Sequence, residues 1–242
     1  AYELMHYYPT AAKLLHVADA CFDPGAFDRS GMRSSLQFDT KQFQPCVWRF
    51  GEPKADFAEE YRKFLDCTAS THVLINACAT NIHVNHCGES VTHVDVRTVT
   101  GRVGTVSAKI FILAAGGIET PRLMLASNGE LHEGVGNANG HVGRWFMEHP
   151  HVTVDGIEMR DDLRSTEWTG VSHMGDGRKF IRCVGLCQET QTRYKVLNAR
   201  GHLFRTPAMP LTVPPKLGLF FEQAPNASSR ITLTDERDAV GL

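Results

Sequence analysis

Lys109-Ile110-Phe111-Ile112-Leu113-Ala114-Ala115-Gly116-Gly117-Ile118-Glu119-Thr120-Pro121-Arg122-Leu123-Met124-Leu125-Ala126-Ser127 decides the reading of this chain, because it writes a strand, a glycine turn and a helix in succession. The apolar run 110–115 is shorter than a free-standing helix needs and predicts a strand covered on both faces, as in a parallel sheet. Gly116-Gly117 then turns the chain. Thr120-Pro121 predicts the helix opening, with a hydroxyl for the first free N–H groups and a proline whose missing N–H costs nothing there. A strand that ends in two glycines and enters a helix can bring bare main chain close to a ligand, since no Cβ intervenes. Dinucleotides are often held this way. Taken alone, the turn fits plain helix-on-strand packing equally well.

Working outward, residues 103–108, 91–99 and 72–84 alternate as an antiparallel meander, with turns at Thr100-Gly101 and Asn85-His86-Cys87-Gly88. Upstream, residues 56–65 predict a short amphipathic helix with Phe57, Tyr61, Phe64 and Leu65 as its apolar side. Residues 22–53 read as a long irregular connection or lid, broken by Pro24-Gly25, Ser30-Gly31, Pro45 and Gly51-Glu52-Pro53. Residues 1–20 carry Leu4, Tyr7, Tyr8, Ala11, Leu14, Leu15 and Ala18 at helical spacing, with the tyrosines expected in ordinary core packing. Downstream of the glycine-rich stretch 134–143, residues 152–159, 180–188, 195–200, 217–223 and 230–234 read as strands of a second antiparallel sheet. Three regions follow: a helical and irregular connecting or lid region (1–66), the meander with its strand-turn-helix (67–150), and the second sheet (151–242).

At 242 residues, 42% of them hydrophobic, the chain is long enough for one large core or two moderate ones. A net charge of -2, with 25 basic and 27 acidic residues interspersed, gives no electrostatic reason to expect nucleic acid or an anionic membrane. No apolar run reaches the roughly 18 residues that a membrane span needs. The seven cysteines are scattered, without a CxxC pair, and read as small apolar residues. His83-x-x-His86-Cys87 is the best metal-like cluster, but it lacks a fourth ligand at a recognisable spacing, and no metal site is expected. Among residues with a possible chemical role, His149 reads as a structural hydrogen-bonding histidine and Arg144 and Arg230 as loop ties. Glu119 reads as a complement to the helix dipole. Free-looking thiols fit a reducing compartment, whereas a targeting signal in a preceding segment would fit the bacterial periplasm, so no compartment is assigned.

Four pieces, taken in order, resemble the glucose–methanol–choline (GMC) family of FAD-dependent oxidoreductases, in particular its sugar-dehydrogenase branch. They are Val73-Leu74-Ile75-Asn76-Ala77-Cys78-Ala79-Thr80, the stretch 112–123 around Gly116-Gly117, Val142-Gly143-Arg144-Trp145-Phe146-Met147-Glu148-His149-Pro150, and Glu222-Gln223-Ala224-Pro225-Asn226-Ala227-Ser228-Ser229-Arg230-Ile231-Thr232-Leu233. The resemblance implies an α+β protein, in which part of a doubly wound FAD-binding domain precedes an antiparallel substrate domain. It implies hydride transfer from an alcohol group of a sugar or polyol to flavin, with the electron acceptor undetermined. It also implies that Ala79 contacts adenine through its backbone, and that Ala114, Ala115 and Gly116, with Gly117 completing the turn, lie beside the adenosine part of FAD. Two departures stand out: Ala79 replaces a frequent valine, and Ser127-Asn128-Gly129 replaces serine followed directly by glycine.

The family's N-terminal GxGxxG unit and its C-terminal histidine-bearing segment have no counterpart here. The chain is therefore expected to be the central fragment of a longer enzyme, inactive alone and with no catalytic residue of its own. The alternative is a non-catalytic nucleotide- or partner-binding module in which Gly116-Gly117 serves only packing. A different flavin- or nicotinamide-dependent enzyme is a third reading.

Overall fold

Alternation and well-placed turn glycines build the first sheet. β2 (Cys78–Val84), β3 (Val91–Arg97) and β4 (Val103–Val106) pair antiparallel in the order β2-β3-β4. Gly88 and Gly101 have φ of 71° and 83°, a region glycine enters without a Cβ penalty, and both close the predicted turns. The computed structural model describes residues 2–21, 23–27, 39–158, 168–206, 208–210 and 212–242. The predicted breaker Ser30-Gly31 and the predicted strand end Met159 lie outside the described residues.

The chain divides into two units, Ala1–Cys67 with Glu148–Gln223, and Thr68–Met147 with Ala224–Leu242. The second unit holds the meander and α4 (Gly116–Ala126), which packs on β2. Ser127, completely buried just after α4, accepts the Ile82 N–H at 2.8 Å and donates to the Leu123 carbonyl at 2.7 Å. One hydroxyl thus ends the helix and satisfies the outer edge of β2. Ser127→Ala leaves a buried N–H without its acceptor and should cost about 1–3 kcal/mol in urea denaturation; an unchanged midpoint would contradict that role. Elsewhere in this unit Arg122 bonds Glu119 at 2.9 Å, Asp238 at 2.8 Å and the Leu242 carbonyl at 2.9 Å, so Glu119 serves an ion pair.

Residues 110–115 do not form the expected strand. Ile110 and Ile112 are 80% and 85% exposed, and the run pairs with no strand among the described residues. A parallel-sheet strand exists only through its neighbours, and none among the described residues supplies the ladder. Ile75, 77% exposed, shares this condition with Val73 and Leu74. Residues 230–234 likewise yield only a bridge between Arg144 and Arg230, flanked by Phe146 N–H to Ser229 carbonyl (2.9 Å) and Ile231 N–H to Gly143 carbonyl (2.8 Å). The loop tie expected of the two guanidinium forks is here a main-chain bridge.

The first unit carries the larger sheet. β1 (Phe43–Phe50), β7 (Lys179–Leu186), β8 (Ala199–Phe204), β9 (Lys216–Phe221) and β5 (His151–Val154) follow one another in space, with β6 (Val171–His173) also on β7. β1 lies within the stretch expected to be irregular. Its Pro45 is tolerated because β1 is an edge strand with one neighbour to satisfy. One sheet face carries the core, where Phe180 and Phe27 are 2% and 1% exposed with ring centroids 4.9 Å apart.

Cys183, fully buried opposite Cys46, fits the small-apolar reading, whereas Cys67, Cys78 and Cys87 are exposed. The same unit also contains α1 (Tyr2–Met5), α2 (Tyr8–Leu14), α3 (Phe57–Cys67) and the unpredicted α5 (Gln188–Tyr194). The expected core packing of the N-terminal tail is not seen: α2 buries Ala12 alone, and Tyr7 and Tyr8 are exposed. Phe57, Tyr61 and Phe64 of α3 are exposed as well. No helix of the described residues is long and apolar enough to cross a membrane.

Candidate functional site

The diglycine bend is the entrance of α4. The helix starts at Gly116, whose φ of 90° only glycine adopts easily, so Thr120-Pro121 falls inside the helix rather than at its opening. Pro121 has no N–H for the Gly117 carbonyl four residues earlier, which removes that acceptor's usual helical partner. A Cβ at Gly116 or Gly117 would meet nothing within 4 Å. Ala114, Ala115, Gly116 and Gly117 are all exposed, so the bend presents open main chain and the first free N–H groups of an 11-residue helix.

Ala79 lies half-buried on β2, the strand against which α4 packs. It pairs with Val96, and the next pair is Asn81 with Asp95, so Thr80 is an unpaired bulge. Bulges interrupt the ladder and gather beside ligand sites. The structure therefore brings Ala114 to Gly117 together as one continuous surface in the same unit as Ala79. No hydrogen bond joins Ala79 to the bend among the described residues. These groups can offer main-chain donors and acceptors and close approach to a flat ligand. None is a nucleophile or a base.

A second feature, in the other unit, escaped the sequence reading. The sheet face opposite the Phe27–Phe180 core carries a pocket of about 200 Å³ lined by Trp48, His149, Asn198, Arg200, Phe220 and Glu222. Phe220 meets Trp48 edge-on at 4.7 Å and His151 at 4.0 Å between ring centroids. Glu222 accepts the Asn198 N–H at 3.1 Å, which fixes its carboxylate at the rim. His149, expected to be structural, does face His151, with 3.3 Å between ring nitrogens, and also lines the pocket. Aromatic faces beside amide, guanidinium and carboxylate groups suit a ligand with both C–H faces and hydroxyls. The signal was present in Arg200, His202 and Phe204 at period two, but the strand was expected to end where it begins.

His202, behind this pocket, packs against Trp48 at 4.9 Å. Burial pushes its imidazole below the ordinary histidine pKa, against a smaller contrary contribution from the Gly218 backbone. The unfolded chain, titrating near about pH 6.5, thus takes up a proton that the folded chain refuses. This group's contribution is complete above about pH 6.5 and is lost as pH falls towards the folded pKa. Between about pH 7.5 and 5.5, urea resistance of the wild type should fall more steeply than that of His202→Asn. Parallel curves would contradict it.

No protein-family model matches the chain. Over 59 residues it is 44% identical to 2-methyl-1,2-propanediol dehydrogenase of Mycolicibacterium austroafricanum, covering 24% of this chain and 10% of that protein. Over 66 residues it is 42% identical to the fructose dehydrogenase large subunit of Gluconobacter japonicus, covering 27% and 11%. The matched region thus spans about a tenth of the length of either relative. Both likenesses are to dehydrogenases and support an oxidoreductase.

Proposed function

We propose that this chain is the central part of a GMC-type FAD-dependent oxidoreductase that oxidises an alcohol group of a sugar or polyol. The observation that carries the reading is the open bend at Gly116-Gly117. Exposed main chain stands there at a helix entrance, on the helix that packs against the strand of Ala79. The residues fit an adenosine group. Ala79, Ala114 and Ala115 are small, no Cβ obstructs Gly116 or Gly117, and amide groups bond a base whatever the side chain. FAD, when bound, supplies a hydride acceptor for the carbinol carbon.

The chain's own residues then hold the adenosine end, and in the other unit the pocket around Trp48 and Phe220 offers Asn198, Arg200 and Glu222 to the hydroxyls of a sugar or polyol. No pyrophosphate cradle, proton-accepting histidine or other catalytic residue is assigned within this sequence. The exposed Val73, Leu74, Ile75, Ile110, Ile112 and Leu113 support this reading, since apolar extended segments of this kind find their ladder in neighbouring strands.

Placing this chain in the corresponding region of the fructose dehydrogenase large subunit tests the proposal. The chimera is expected to retain flavin absorbance and to reduce an artificial electron acceptor with a sugar or polyol, while the 242-residue chain alone does neither. A chimera that unfolds cooperatively yet holds no flavin, or turnover by the chain alone, would overturn it.

A further inference from the structure

The β2–β3 hairpin carries a cluster that neither the flavin reading nor the dehydrogenase likeness uses. Its register sets His83 directly opposite His93, and Asn81 opposite Asp95. The imidazoles of His83 and His93 stack at 4.1 Å with 12° between planes. His83 Nε2 lies 2.8 Å from Asp95 Oδ2, and one ligand atom from each of His83, His93 and Asp95 falls within 4.8 Å of the others. His86 and Cys87, the partners suggested by sequence spacing, are exposed in the turn beyond.

Each of the three has an outer partner on its far side. Glu130 Oε1 lies 2.7 Å from His83 Nδ1, Thr92 Oγ1 lies 2.9 Å from His93 Nδ1, and the Thr105 hydroxyl donates to Asp95 Oδ1 at 3.4 Å. Thr92 can reach its neighbour because it is the unpaired residue of a second bulge, between the His83–His93 and Val84–Val91 pairs. A carboxylate on Nδ1 fixes the His83 ring, as outer partners do at metal sites, and turns Nε2 towards Asp95 Oδ2 and Asn81 Nδ2, each 2.8 Å away. With both histidines neutral, Asp95 and Glu130 bring two negative charges, which a divalent cation balances. In the metal-free hairpin those carboxylates, Asp95 first and Glu130 second, hold the His83 imidazole above its ordinary pKa.

We propose that His83, His93 and Asp95 bind a divalent transition-metal ion, zinc foremost, through two imidazole nitrogens and one carboxylate oxygen, with Glu130 as a positioning residue and water completing the coordination. Two nitrogens and one oxygen suit zinc and its neighbours better than magnesium or calcium, which prefer all-oxygen sets. A metal ion takes the unprotonated imidazole, so any proton on His83 Nε2 is released to solvent when the ion binds. The ion would staple β2 to β3, the strands that carry the Ala79 bulge.

The test is titration of the whole chain, stripped with EDTA and with exposed thiols alkylated by iodoacetamide so that Cys67, Cys78 and Cys87 do not compete. Zinc chloride is followed by calorimetry, and cobalt chloride by visible absorption. One equivalent of each metal is expected, with a cobalt spectrum free of thiolate charge transfer. His93→Gln and Asp95→Asn should each lower affinity at least about tenfold, and Glu130→Gln about 10–100-fold, while folding is followed separately by thermal melting. Absence of binding to the wild type, or affinity unchanged in the folded variants, would overturn the site. A thiolate cobalt spectrum would do the same.

Discussion

Phe180→Ala should destabilise the unit formed by Ala1–Cys67 and Glu148–Gln223 by about 3–5 kcal/mol. Phe180 lies on β7, which pairs with β1, β6 and β8, and its ring rests on Phe27. The guanidinium of Arg182 sits 4.9 Å from the Phe180 ring centre, and those of Arg49 and Arg178 sit 5.3 and 5.1 Å from that of Phe27. These arginines are held in place. Arg182 donates to the Phe27 carbonyl at 2.9 Å, Arg178 to Asp176 at 2.5 and 2.8 Å, and Arg49 to the Cys21 carbonyl at 2.8 Å. A cavity walled by fixed cations cannot close by sliding apolar side chains together, so the full cost of truncation is expected. Phe180→Leu keeps most of the volume and should cost markedly less. Urea denaturation followed by the fluorescence of Trp48 and Trp168 reads both, and a loss below about 1 kcal/mol for the alanine variant would contradict this core.

Gly117→Leu should leave the chain as stable as before, or slightly more so, and reduce adenine-nucleotide capture about tenfold or more, equivalent to about 1.4 kcal/mol. The new side chain meets nothing within 4 Å of its Cβ, and Gly117 lies in α4 without the positive φ of its neighbour. Replacing a helical glycine by leucine gains helix propensity. If the open main chain is a ligand surface, that side chain occupies it. Gly116 is the poorer probe, because a side chain at φ 90° brings backbone strain of about 1–2 kcal/mol whatever binds there. Capture that survives Gly117→Leu unchanged would mean that the bend serves only to connect and pack.

The meander was legible because its information is local. Alternation marks β2 to β4, and Gly88 and Gly101 mark the turns. β1 was hidden for the opposite reason, since Pro45 and an irregular pattern conceal a strand that exists through its eight-residue register with β7. The run 110–115 reads as a strand by composition and fails to become one, because composition supplies propensity and only neighbours supply hydrogen bonds. At the bend, the glycines and the helix were legible, but the entrance lies four residues before the Thr120-Pro121 signal. The Trp48–Phe220 pocket and the His83–His93–Asp95 cluster each unite residues from different strands. Single-sequence spacing contains the register only where a turn fixes it.

The central claim, that the main chain from Ala114 to Gly117 and around Ala79 is an adenosine surface, is tested most directly by photolabelling. The purified chain is irradiated with an adenine-azido analogue of FAD at millimolar concentration, and the modified peptides are mapped by mass spectrometry. Label within residues 73–80 and 112–118, suppressed by excess FAD, is the predicted result. Label confined to other residues, or unaffected by excess FAD, would contradict it.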